Sequence, residues 1–156
     1  MRIQIASLIL ITALLTGGHT TGYAQAANSG QSLEGAWIVK IEFDAPGIEG
    51  CNAPGLMTAD GGIVAGGCSL AESPGYGRWV RTGDHTFAST FVGQVFDLST
   101  GAISGTYKVR ATLRLRGDQQ QFTGPFVTDV FGLDGTPLFT GNGIVTADRV
   151  AVEPLP

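Results

Sequence analysis

The chain has 156 residues, with 13 Asp and Glu against 9 Lys and Arg. Such an acidic chain lacks the basic face that phosphate contacts need, which excludes nucleic acid as a partner and gives no hold on an anionic membrane. After residue 26 only one histidine, His85, remains, which argues against a zinc site, since such sites normally use several His or Cys ligands.

Residues 1–26 read as a secretory signal. Arg2 gives a positive start, "IASLILITALL" from Ile5 to Leu15 is an apolar core, and "AQA", Ala24 to Ala26, is a small-x-small cleavage pattern. The apolar run is shorter than the roughly 20 residues that span a bilayer. Cleavage after Ala26 therefore predicts a secreted or periplasmic protein. No cysteine for lipid attachment stands beside that site, and no later segment is long and apolar enough to cross a membrane as a helix. No stable membrane insertion is expected after cleavage.

Residues 27–34 form a polar tail, and residues 35–153 are expected to form one domain. Apolar and polar residues alternate there in short runs cut by glycine-rich turns, the pattern of strands. "AWIVKIEF", Ala36 to Phe43, puts Trp37, Val39, Ile41 and Phe43 on one face. Asp44 to Gly55 reads as a Pro/Gly loop. Leu56–Ala59 and Ile63–Ala65 read as a hairpin around Asp60-Gly61-Gly62. A second long loop covers Cys68 to Gly77. Arg78–Thr82 and His85–Phe96 form strands around a Gly83-Asp84 turn, with Phe87, Phe91 and Val95 on one face. Ala102–Arg116 is the clearest strand: Ile103, Tyr107, Val109, Ala111, Leu113 and Leu115 face one way, and Lys108, Arg110, Arg114 and Arg116 face the other. Gln121–Phe131 and Leu138–Val152 complete eight strands.

An antiparallel meander of this length closes on itself to remove its edges. The expected fold is all-β: an eight-stranded antiparallel up-and-down barrel, with an open sandwich as the alternative. Eight strands enclose just enough space for side chains or one small ligand. Phe87, Phe91, Val95, Tyr107, Phe122, Phe126 and Ile144 are the candidate interior residues. Apolar inward faces suit a filled barrel and a hollow one equally.

Cys51 and Cys68 are the only cysteines. In an exported chain they most simply form one disulfide. The alternative, a catalytic thiol, needs a nearby base, and His85 is the only histidine after residue 26.

"GAW", Gly35 to Trp37, resembles the Gly-x-Trp motif that opens lipocalins and other calycins. That resemblance implies that Trp37 closes one barrel end and that an arginine near the last strand, here Arg149, packs across it. "GRWVRTGDHTFASTF", Gly77 to Phe91, is similar to a run in small secreted bacterial proteins described as lipocalin-like, which have no known activity. The likeness covers most of the chain after residue 26 and implies a fold rather than a reaction.

The polar residues give few signs of catalysis. His85 as a general base would need a nucleophile in reach, but Ser89 lies four strand positions away, roughly 13 Å. A solvated turn histidine is the simpler reading. "DLSTG" and "GLDGT" lack the ligand spacing of a calcium loop. No metal and no cofactor is predicted. The Lys108–Arg116 stripe is either a polyanion-binding face or the wet face of a strand, balanced by carboxylates such as Asp129. If Trp79 points into the barrel, so does Arg81, which could meet a ligand carboxylate or simply reach water at the strand end. The first functional expectation is a non-enzymatic barrel whose partner is a small hydrophobic molecule. Trp79, Arg81, Phe87, Phe91 and Tyr107 would contact it, while Gly35, Trp37 and Arg149 serve the structure. The alternatives are a barrel cyclase or isomerase of the allene-oxide-cyclase or dirigent kind, and a structural or interaction module.

Overall fold

The computed structural model describes residues 31–155. The expected signal, residues 1–26, and the tail as far as residue 30 lie outside the described residues. Eight strands follow in chain order: β1 Gly35–Phe43, β2 Cys51–Met57, β3 Gly62–Ala65, β4 Gly75–Arg81, β5 Thr86–Phe96, β6 Ile103–Leu115, β7 Gln121–Gly132 and β8 Pro137–Arg149. Each pairs antiparallel with the next. β1 also pairs with β8, from Trp37↔Arg149 to Phe43↔Gly143, so the sheet closes and neither strand keeps a free edge. No helix occurs among the described residues. This is the expected eight-stranded barrel, and it fits a lipocalin-like fold.

The period-two alternation sorts the strands as the sequence predicts. Trp37 is fully buried, and Val39, Ile41 and Phe43 pack against the core from the same face. Tyr107, Val109, Ala111, Leu113 and Leu115 line the inner face of β6. On its outer face Arg110 pairs with Asp129 at 2.5 Å, and Lys108 lies 5.9 Å from the Phe131 ring centre. The basic stripe is thus partly balanced by its neighbour on β7.

Five expectations need correction. β2 runs through Cys51–Met57, most of which reads as loop. Its inward positions include the small Ala53 and Gly55, so the strand carries little apolar signal. Pro54 is tolerated because its carbonyl, and hence its nitrogen, points to the β3 side just past the last ladder pair, Gly55↔Ala65. β4 begins at Gly75, and β8 ends at Arg149 rather than Val152. Ile144 faces outward, 41% exposed, while Val145 is buried. The inward positions before it are Gly141 and Gly143, so apolarity does not mark the inner face there. Ile103 also lies outward, 42% exposed. The register shifts beside it, from Val95↔Gly105 to Phe96↔Ile103, and this bulge resets the alternation.

The connections sort by end. The turns at 58–61, 82–85 and 116–120 lie at one end with residues 31–34. The loops at 44–50, 66–74, 97–102 and 133–136 lie at the other.

Candidate functional site

The two ends are built differently. At the first, side chains fill the barrel. The Trp37 and Phe122 rings meet edge to face at 4.8 Å between centres, and Trp79 and Phe87 do so at 5.6 Å. Leu33, fully buried, closes the bottom, and Trp37 Nε1 donates to its carbonyl at 2.8 Å. The Arg149 guanidinium sits 4.2 Å from the Trp37 ring centre. It donates to the carbonyls of Gln119 (2.8 Å), Ser32 (3.1 Å) and Glu34. A cation over an indole face with three backbone acceptors makes a rigid seal. Gly35 completes it: its φ is +130°, and a Cβ there would collide with the Arg149 guanidinium. Gly35, Trp37 and Arg149 thus sit together at the closed end.

Toward the other end the side chains do not meet across the barrel. They leave a cavity of about 550 Å³, within the range of small-molecule sites. Its walls are mostly apolar, including Val39, Ile41, Phe91, Val109, Phe126 and Val145. Met57, Ile63, Leu113 and Phe122 of the core cluster also line it. The mouth lies between the β1–β2 and β3–β4 connections, where Ile48, Glu49, Ser69 and Glu72 reach the cavity.

The mouth is held in place. Cys51 and Cys68 are joined as a disulfide with their Cα atoms 5.6 Å apart, tying the start of β2 to the β3–β4 loop. That loop is stitched to β5: Phe96 N donates to Ala71 O at 2.7 Å, Ser73 N to Gln94 O at 2.9 Å, and Gln94 N to Ser73 Oγ at 2.8 Å. Glu72 Oε2 accepts from Cys68 N at 2.9 Å. The Tyr107 hydroxyl donates to Ser73 O at 2.8 Å, and its ring stands edge to face with Phe91 at 6.4 Å. Burial, and then the negative charge of Glu72, pushes the Tyr107 phenol up to about 12. The group keeps its proton and serves as a donor to the loop. Gly93 leaves the space its ring occupies, since a Cβ there would lie 2.5 Å from ring atoms.

The five residues expected to contact a ligand are split between these regions. Phe91 and Tyr107 line the cavity. Trp79 and Phe87 belong to the packed layer at the closed end, with Trp79 Nε1 donating to Thr58 O at 3.2 Å. Arg81 is exposed beyond that layer, 6.0 Å from the Phe87 ring centre, and donates to the carbonyls of Gly83 (2.9 Å) and Asp84. His85 is at the same end, with its Nε2 3.2 Å from the Gln31 amide nitrogen. Among the described residues no group of three or more His, Cys, Asp or Glu is placed to hold a metal ion.

Ser89 and Glu72 are among the cavity residues that the sequence did not mark as site residues. Ser89 was legible, because it shares the inward parity of Phe87 and Phe91. Glu72 left no signal, since it reaches the cavity from a loop through its isolated bridge to Val95. Comparison with protein-family models, curated proteins and solved structures gives no match for this chain.

Proposed function

We propose that this chain is a secreted or periplasmic barrel of the small bacterial lipocalin-like kind, and that it holds one small apolar molecule in the open half of its barrel. The carrying observation is the apolar cavity of about 550 Å³, open at one end and floored by a packed aromatic layer. Burying an apolar ligand against such walls gains roughly 25 cal/mol per Å² of apolar surface removed from water. The pinned mouth supports the reading, because a preformed pocket loses little conformational freedom on binding. The apolar run Ile5–Leu15 and the "AQA" pattern support export.

Native mass spectrometry of the protein recovered from its own host tests both parts. The expected spectrum shows a chain beginning at Ala27 with a co-purifying small molecule. A chain that retains residues 1–26, or a folded protein that takes up no apolar probe, overturns the corresponding part.

A second reading, a barrel cyclase or isomerase that works by shaping an apolar substrate, draws on one observation. Tyr107 holds a strongly perturbed phenol at the cavity wall. Its proton is already engaged by Ser73 O, which favours a binding role.

A further inference from the structure

The cavity carries an unusual charge pattern. Its lining includes no Lys, Arg or His, and its ionisable groups apart from the Tyr107 phenol are two carboxylates at the mouth, Glu49 and Glu72. Arg81 and Arg149, at the closed end, are engaged by backbone carbonyls there. Deeper polar groups are neutral hydroxyls. Ser89 is 6% exposed, the one polar side chain in the buried set, and lines the cavity. It pairs across the sheet with Trp79 and Ala111, which places it just above the packed layer. Among the described residues its Oγ has no hydrogen-bond partner in the protein, yet no fully enclosed side-chain polar atom is left unsatisfied. The hydroxyl is therefore open to the cavity. Thr128, paired with Val109 and Gly141, is a second neutral hydroxyl-bearing residue higher on the wall.

On the reading of the cavity as a binding site, we infer that the ligand is an uncharged amphiphile whose hydrogen-bonding group enters first and meets Ser89, and that carboxylates are excluded. The reasoning holds for either orientation of a fatty acid. Head inward, its carboxylate would be stripped of water with no cation to pair with, and a hydroxyl cannot offset that penalty. Head outward, it would meet Glu49 and Glu72, and like charges at close range repel. A neutral hydroxyl or carbonyl meets neither obstacle. It can exchange a hydrogen bond with Ser89 while its apolar body fills the walls. An otherwise apolar pocket with one polar group at depth rewards a ligand carrying the matching group.

The test compares dodecanol with dodecanoate, by native mass spectrometry and by displacement of an apolar dye, on the folded, oxidised protein. Dodecanol should bind at least tenfold more tightly than dodecanoate. Ser89→Ala should weaken dodecanol about fivefold, the size of one neutral hydrogen bond, and leave dodecane unchanged. Glu49→Gln with Glu72→Gln should narrow the gap by strengthening dodecanoate. Equal binding of the two probes, or a dodecanol affinity indifferent to Ser89→Ala, overturns this inference and leaves the binding barrel standing. Failure of dodecanol, dodecanoate and dodecane alike overturns the binding reading and this inference with it.

Discussion

The two halves of the barrel share eight strands and one alternation rule, yet one is solid and the other hollow. In the closed half the inward positions carry Trp37, Trp79, Phe87 and Phe122, and Leu33 and Arg149 seal the layer from below. In the open half Phe43, Phe91, Tyr107 and Phe126 also point inward, but they share that half with the small Ala53, Ala65 and Ala111 and with Gly141 and Gly143 of β8, which leave the space between them unfilled. The difference is side-chain volume along the strands. It teaches that stability and binding can be assigned to different layers of one barrel, so that a change in one need not disturb the other.

The sharpest way to break that division is to truncate one aromatic in each half. Phe87→Ala opens a void in the packed layer and should cost roughly 3–5 kcal/mol of unfolding free energy in urea titrations. Phe91→Ala enlarges a space that is already empty, and should cost only about 1–2 kcal/mol. It should weaken an apolar ligand that Phe87→Ala, when still folded, binds normally. Equal losses of stability would mean that the halves are not separate. Reduction of Cys51–Cys68 frees the mouth loops and should cost about 3 kcal/mol in the chain-entropy model. Hydrogen exchange should then rise in 66–74 and stay low in β1 around Trp37.

Tyr107 links the mouth to the wall, and its raised phenol makes a pH prediction. The group is neutral when protonated, and its folded value lies above the usual value near 10. Its stabilisation is therefore complete below pH 10 and is lost as the pH rises through 10 to 12, by about 2 kcal/mol in all. Tyr107→Phe should remove this slope in urea midpoints measured across that window. At neutral pH the same change leaves Ser73 O without its donor and should cost about 1–2 kcal/mol. The smallest effect expected is from Arg81→Ala. That side chain is exposed and bonds only its own turn and Gln31, so its loss should stay within about 0.5 kcal/mol and leave ligand binding unchanged.

The closed half was the more legible in the sequence. Trp37, Phe87 and Leu113 are large residues in strict alternation, and for such residues parity alone gives the face. The Gly35-x-Trp37 motif pointed to Arg149, and the three sit together at the closed end. The open half was read less well for the same physical reason that makes it hollow. Small side chains on β2 and β8 carry little hydrophobic signal, so Cys51–Gly55 read as loop and Ile144 as interior. Arg81 shares the inward parity of Trp79. At the end of β4, however, a long side chain can turn back to the carbonyls at Gly83 and Asp84, and parity no longer decides its direction.

The seam between β1 and β8 also governs how the chain must fold. Trp37 pairs with Arg149 and Phe43 with Gly143, so that ladder closes a loop on the order of a hundred residues. Every other ladder joins neighbours in sequence and can form early. The last seam waits until the final strand is in place, which predicts folding in milliseconds to seconds rather than microseconds. Until then both outer strands present unpaired backbone, and Leu33 has no lid to become. The arginine that finishes the barrel is the last residue of the last strand, so the molecule is sealed by the end of its sheet.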